Sequence, residues 1–330
     1  MSMIEVKGLT KIYPGGIKAV DNISFTVEKN EIYGLLGPNG AGKTTTIKML
    51  TSALKPTSGD AFVNGLNIRT ESLEVRKTIG IVPQDLTADE DLTGFENMYM
   101  FAQFYRIPRQ EAYEQIERLL DLVELTEAKN RYVKGYSGGM RKRLELAIGL
   151  LHNPEIIFLD EPTLGLDVQT RTRMWEYIRE IVKKMGVTII LTSHYLEEID
   201  SLADRMSIMD KGKIVITGTS DELKGSLKGD VISIICDTAG EAEALSSYRD
   251  GIDQPVIKEN EVRLSVENSD KDLAKIFNFM IERKITPMSI NVHKPSLDQV
   301  FLKYTGRTIR EAEGGEDVRK SSMNLRRMRA

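Results

Sequence analysis

Three short runs carry residues whose types and spacing suit chemistry. Gly37 to Thr44 reads GPNGAGKT, Asp160 and Glu161 close the run IIFLDE, and Ser137, Gly138 and Gly139 open SGGMRKR. The first fits G-x-x-x-x-G-K-[ST], in which backbone N–H groups of a tight glycine turn point at phosphate oxygens and the next helix adds the positive end of its dipole. Within Gly37, Pro38, Asn39, Gly40, Ala41, Gly42, Lys43, Thr44 and Thr45, Lys43 reaches the outer phosphates. The Thr44 hydroxyl is placed to ligate Mg2+.

A triphosphate site also needs a carboxylate for its metal and a group for the attacking water. Asp160 follows four apolar residues and is read as holding Mg2+, directly or through water. Glu161 is the candidate general base or polariser of that water. Adjacent carboxylates after an apolar run are costly to leave unpaired. A guanine-reading N-K-x-D motif is absent from the sequence. Tyr13, in KIYPGG ahead of the loop, has the ring to stack on adenine or simply to pack.

The third run is a second grip without a lysine of its own. Ser137 suits either a helix N-cap or a hydroxyl donor to phosphate, and Gly138 and Gly139 let the backbone come close. Arg141, Lys142 and Arg143 then occupy a first helical turn, where the dipole disfavours cations. That conflict suggests a polyanion docking nearby.

These residues need a sheet and helices to hold them. IEVKGL, NISFTVE, EIYGLLG, TIGIVPQ, PEIIFLD, GVTIILTS and DRMSIMD read as strands, with TTIKMLTSAL, RTRMWEYIREIVKK and HYLEEIDSLA as helices between them. EIIFL and VTIIL are apolar on both faces, as expected of a parallel sheet between layers of helices. From Thr93 to His152 only helical spacing appears, in FENMYMFAQFYR, QEAYEQIERLLDLVEL and GGMRKRLELAIGLLH. The last places Met140, Leu144, Ile148 and Leu151 on one face.

The expected fold is α/β: a P-loop nucleotide-binding domain over residues 1–224, with a helical subdomain inserted at about 90–152. A small C-terminal α+β accessory domain follows over 225–306, with VISIICD, QPVIKE, EVRLSVE and PMSINVH as strands and DLAKIFNFMIERK and SLDQVFLKY as helices. A charged tail, 307–330, ends in the basic RKSSMNLRRMRA. It reads as solvated, with anionic lipid or a partner as the alternative.

Bulk composition narrows the field. The chain has 330 residues, 41% hydrophobic and 28% charged, enough for two ordinary globular cores. A net charge of −4 lacks the basic excess of a nucleic-acid binder. One cysteine, Cys236, excludes a disulfide scaffold or a cysteine zinc site and fits a reducing cytoplasm. The N-terminus is charged too early for a secretory signal. No apolar run approaches the roughly 18 residues of a spanning helix, so any membrane role is expected to come through a partner.

Taken in order, GPNGAGKTT, Gln84 in VPQD, YSGGM, IIFLDEP, GLD and TSH resemble the ATP-binding cassette ATPases, the motor subunits of ABC transporters. The resemblance spans about residues 3 to 220 and implies ATP and Mg2+ as cofactors. It also implies a homodimer, or paired cassettes, in which two chains meet head to tail and sandwich two ATP molecules. Ser137, Gly138 and Gly139 then bind the γ-phosphate of the partner's nucleotide. Gln84 senses metal and water and links the site to the helical subdomain. Asp167 lies at the dimer seam and helps position the water, and His194 contacts the γ-phosphate beside Glu161. Tyr13 matches the adenine-stacking position. The family's commonest signature is LSGGQ; here Tyr136 and Met140 flank an intact SGG.

PSLDQVFLKYTGR and the accessory domain look like those of drug-resistance-type exporter ATPases, whose permeases are separate chains. The expected partner is therefore a transmembrane permease, with the cassette held peripherally on the inner face of the membrane. Phe95, Met98, Met100, Phe101, Phe104 and Tyr105 supply more apolar surface than one helix face buries; core packing accounts for most of it, and some suits a groove for a permease helix. The alternative is a cassette ATPase acting on a soluble macromolecule. The heptad run of chromosome-maintenance relatives, the cysteine zinc of repair relatives and the paired cassettes of translation relatives are all missing. A small-molecule kinase leaves SGGM and TSH unexplained.

Overall fold

The computed structural model describes residues 2–227, 229–248, 255–266, 268–309 and 311–312. They form two compact units. One comprises residues up to Ser220 together with those from Arg307 onward, and the other is Asp221–Gly306.

The first unit opens with two long strands, β1 (Ser2–Tyr13) and β2 (Ile17–Glu28), followed by β3 (Ile32–Leu36) and helix α1 (Lys43–Leu50). Next come β4 (Ser58–Val63), β5 (Leu66–Asn67), α2 (Ser72–Thr78) and β6 (Ile79–Val82). The helical insertion holds α3 (Gly94–Phe104), α4 (Arg109–Leu122) and α5 (Gly138–Gly149). The chain then returns through β7 (Ile156–Asp160), α6 (Val168–Met185), β8 (Thr188–Ser193), α7 (Leu196–Leu202), β9 (Arg205–Asp210) and β10 (Lys213–Gly218).

The central sheet has the order β10-β9-β3-β8-β7-β6. Its five strands from β9 to β6 run parallel, and β10 is antiparallel to β9. Every residue of β3, β7 and β8 is buried, because these strands are covered on both faces. IEVKGL and NISFTVE do not join it. They belong to a second, antiparallel sheet of order β2-β1-β4-β5, which corrects the reading of one continuous alternation. β2 alternates buried and exposed positions along Phe25, Val27 and their neighbours, the pattern of a sheet with one dry face. That dry face and α1 bury Val6, Leu9, Val20 and Phe25 with Ile47 and Leu50 against Tyr33, Leu35 and Phe158 of the central sheet.

Among the elements of this unit that escaped periodicity are β4, in the glycine-containing SGDAFV; the two-residue β5; the seven-residue α2; and β10, directly behind β9. The reading TTIKMLTSAL also overshoots, since α1 stops at Leu50 and Ser52 turns left-handed at φ 57°. Within the insertion, α3 starts on a reciprocal cap. Thr93 Oγ1 accepts from Glu96 N at 3.1 Å and Glu96 Oε2 accepts from Thr93 N at 2.8 Å. Leu144, Ile148 and Leu151 are buried as their spacing expects, whereas Met140 is half-buried.

The second unit begins with α8 (Ser220–Gly225), which straddles the boundary, and continues with β11 (Asp230–Cys236), α9 (Ala239–Leu245) and β12 (Val256–Lys258). It ends with β13 (Glu261–Val266), α10 (Ser269–Glu282), β14 (Pro287–His293) and α11 (Leu297–Thr305). The antiparallel sheet order β12-β13-β11-β14 with a β-α-β-β-α-β core is ferredoxin-like. Ile232, Ile234, Val262 and Leu264 pack beneath Leu245, Ile276 and Met280.

The tail is not solvated where it starts. Arg307 Nη2 donates to Asp210 Oδ1 at 2.7 Å, and Ile309 and Ala312 are buried. The basic stretch RKSSMNLRRMRA lies outside the described residues.

Candidate functional site

The phosphate loop joins β3 to α1, at the carboxyl end of the parallel strands where open α/β sheets place their ligands. Gly42 sits at φ 105°, and a Cβ there would meet Ala19 O at 2.5 Å; one on Gly37 would meet Met209 O at 2.3 Å. At these two glycines the loop is thus wedged against β9 and the start of β2, with no room for a side chain. Ala19 follows the β1–β2 hairpin, which brings the half-buried Tyr13 to the same end. Lys11 Nζ stands 5.5 Å from the Tyr13 ring centroid, so one face of that ring already carries a cation.

Lys43 is buried, and its ammonium donates to Gly37 O at 2.6 Å and Pro38 O at 3.1 Å. It stands 3.6 Å from Glu161 Oε1. Thr44 Oγ1 donates to Asp160 Oδ1 at 3.2 Å. That short link across α1 and β7 brings a hydroxyl and a carboxylate to one point. No group of three or more His, Cys, Asp or Glu side chains that could hold a metal occurs among the described residues. Two oxygen ligands suit Mg2+, which keeps several waters and takes phosphate oxygens.

Glu161 occupies an unusual position. Its φ of 51° is left-handed, at a cost of about 1 kcal/mol for a non-glycine residue. Its N–H is fixed on β8 by Thr192 O at 3.2 Å and Thr192 Oγ1 at 3.1 Å. The twist turns its side chain back towards Lys43, and His194 Nδ1 lies 3.2 Å from Glu161 Oε2. Burial opposes the carboxylate's charge, but His194 and Lys43 outweigh it and hold its pKa below the usual 4.5. Thr192 was not singled out from the sequence, although it lies two residues before His194 in TSH. It also donates to Asp160 Oδ1 at 2.6 Å and so orients both carboxylates.

The structure therefore brings together Lys43, Thr44, Asp160, Glu161 and His194. Gln84 is exposed in the loop after β6; its backbone carbonyl accepts from Lys142 Nζ at 2.7 Å, and its side chain makes no hydrogen bond among the described residues. Asp167 is the N-cap of α6, accepting from Thr170 N at 3.0 Å and Thr170 Oγ1 at 2.7 Å. These bonds depress its pKa, with the Thr170 N–H the largest cause.

Ser137 caps α5, its Oγ accepting from Met140 N at 3.3 Å, while Gly138 lies exposed. A Cβ on Gly139 would meet Thr170 Cγ2 at 2.4 Å, so α5 and α6 approach closely here and a larger residue would have to displace the Thr170 side chain. The three cations do not stand free at the turn. Arg141 pairs with Glu90 and donates to Lys134 O. Lys142 is buried on Gln84 O. Arg143 donates to Val123 O at 2.9 Å and to Glu124 O and Tyr177 Oη at 3.2 Å. Each has partners in its own chain, so none is by itself evidence for an outside anion. No hydrogen bond among the described residues links Ser137, Gly138 or Gly139 to the phosphate loop.

Comparison with known proteins agrees with this arrangement. Residues 20–164 match the ABC transporter family, and residues 218–305 match the C-terminal domain of the DrrA1-3-like ATP-binding proteins. The daunorubicin resistance ATP-binding protein DrrA3 of Streptomyces coeruleorubidus is 37% identical over 94% of this chain and 98% of its own. The linearmycin resistance ATP-binding protein LnrL of Bacillus subtilis (strain 168) is 35% identical over 94% and 100%. Among solved structures, CbiO1 of Clostridium perfringens, part of the ABC transporter complex CbiONQ, superposes with TM-score 0.63 at 27% identity, covering 67% of this chain and 90% of that one. The dimeric post-hydrolysis cassette MJ0796 with ADP and Pi gives 0.60 at 25%, covering 66% and 98%. A phosphate loop backed by paired carboxylates, a capped SGG helix and a DrrA-like C-terminal unit thus occur in one chain, which belongs to the ATP-binding cassette transporter ATPases, as an ATP-hydrolysing subunit of the drug-resistance type.

Proposed function

We propose that two copies of this chain close head to tail around two MgATP molecules and drive a separate membrane permease, in the direction of export. The observation that carries this is the division of the grip. Lys43, Thr44, Asp160 and Glu161 converge on one another, whereas the backbone donors of Ser137, Gly138 and Gly139 have no hydrogen-bond partner among the described residues. A γ-phosphate on the loop of one chain supplies the anion for the α5 N-terminus of the other.

In this reading the glycine loop and Lys43 hold the β- and γ-phosphates, and Tyr13 stacks on adenine through the ring face that Lys11 leaves free. Thr44 and Asp160 hold Mg2+, with Gln84 approaching as a further oxygen ligand. The metal, when bound, neutralises charge on the phosphoryl oxygens. Glu161 accepts a proton from the attacking water as its oxygen bonds to the γ-phosphorus, and the bond to the bridging oxygen of ADP breaks. Its depressed pKa keeps it in the basic form. His194 sits beside the γ-phosphate and fixes the Glu161 carboxylate, and Asp167 borders the seam. Loss of phosphate removes the shared anion and lets the two chains part, as in other γ-phosphate switches.

Export is supported by the drug-resistance relatives and the C-terminal domain they share. No helix among the described residues is long and apolar enough to cross a membrane, so attachment to the inner membrane face is assigned to the permease. The insertion offers a surface for it: Met98 is buried, but Phe104 is 71% exposed and Tyr105 42%. Glu161→Gln tests the chemistry. Turnover should fall by about 10²–10⁴-fold while ATP still binds and holds a dimer. Near-normal hydrolysis by that variant would remove Glu161 from its role.

A further inference from the structure

The loop from Gln84 to Asp89 leaves β6 of the central sheet, yet its hydrogen bonds go to the helical insertion. Two buried, oppositely charged residues one turn apart on α5 hold it. Lys142, 8% exposed, donates to Gln84 O at 2.7 Å. Glu145, 2% exposed, accepts from Thr87 N at 2.6 Å and Ala88 N at 2.7 Å through Oε1, and from Thr87 Oγ1 at 2.6 Å through Oε2. The far end is pinned to α3: buried Asn97 accepts from Asp89 N at 2.7 Å and returns a bond to Asp89 O at 2.9 Å. Burying two charges is costly unless each meets well-aligned partners, and a solvated loop would not need them.

We propose that Lys142 and Glu145 are positioning residues that lock the Gln84 loop to the helix carrying Ser137, Gly138 and Gly139, so that Gln84 and the SGG turn move as one body. The inference rests on the reading of Gln84 as a contact to metal and water. Lys142 and Glu145 lie within two turns of the SGG end of α5, and a regular helix transmits displacement along its axis. A shift of Gln84 by a bound metal is therefore passed to the glycines that face the partner chain, and the reverse. Burial pushes the Lys142 ammonium below its ordinary value, while Glu145, Asp85, Asp160 and Glu161 pull it back.

The test is a double-mutant cycle on the full chain, reading kcat and KM for ATP, with the thermal midpoint as a check on folding. Lys142→Met should lower kcat about tenfold with KM within about twofold, and Lys142→Arg should keep kcat within about threefold. In a Gln84→Ala chain, itself slowed, adding Lys142→Met should cost less than about twofold, because the residue acts through Gln84. If the two losses multiply in full, or if KM rises as much as kcat falls, the coupling is overturned. A Gln84→Ala chain at full rate would overturn the reading of Gln84 itself, and the inference with it. Should Lys142→Met not fold, Glu145→Gln enters the same cycle from the other end of the loop, with the same expected non-additivity.

Discussion

The two ends of the cassette that carry phosphate-binding turns are built on opposite principles. At the phosphate loop the chain gathers its own opposite charges, with Lys43 and Glu161 3.6 Å apart and almost wholly buried. At the SGG turn the charges are led away from the glycines: Arg141 and Arg143 bond carbonyls of the helical insertion, and Lys142 bonds Gln84 O in the loop after β6. The loop is thus an electrostatically closed half-site. The SGG turn is held in place by cations bonded within their own chain, of which Lys142 is buried, and in the proposed reading its N–H groups meet a ligand held elsewhere. Cations near a glycine turn are therefore not by themselves a sign of anion binding. Here they anchor the helix that presents the donors.

That contrast gives graded ways to break it. The largest effect belongs to the closed half. Lys43→Ala removes the desolvated ammonium and leaves Glu161 buried without that partner. ATP affinity of the full chain should fall about 100-fold in equilibrium titration with a fluorescent ATP analogue. A change below about threefold would show that the loop backbone alone holds the phosphates. At the SGG end, Arg143→Met deletes the bonds to Val123, Glu124 and Tyr177. Stability should drop by about 1–3 kcal/mol in denaturant unfolding, with ATP affinity of the chain unchanged. A fall in affinity instead would make the cation an anion ligand after all.

The smallest effect lies in the pH dependence. Glu161 has its folded pKa depressed below 4.5, so its ionised form stabilises the fold above the unfolded value, and that contribution fades as pH falls through the folded one. The acid limb of kcat/KM assigned to Glu161 should accordingly lie below pH 4.5, with no titration of this group between about 5 and 8. An acid limb near neutrality that vanishes in Glu161→Gln would contradict the arrangement with Lys43 and His194.

What the sequence disclosed and what it withheld follow from the range of the interactions. The phosphate loop, the carboxylate pair and the capped helix were legible because each is local: a glycine turn, a strand end and an N-cap are encoded within a few residues. The partners of the cations were not, since Arg141 finds Glu90 51 residues away and Lys142 finds Gln84 58 residues away. Thr192 escaped for a related reason. A threonine inside a buried strand looks like packing until β7 is placed beside it. The antiparallel sheet escaped because alternation along β1 and β2 says that one face is dry, and says nothing about which sheet they join. In the C-terminal unit the strands were visible individually, but their ferredoxin-like order is a property of pairing alone.

The central claim is that the SGG turn completes the nucleotide site of a second chain. The most direct measurement is the sedimentation mass of the Glu161→Gln chain with ATP, with and without the added change Ser137→Arg. The account predicts a dimer for the first, and for the second a monomer that still binds ATP with its affinity intact. An ATP-dependent dimer that survives Ser137→Arg would contradict it.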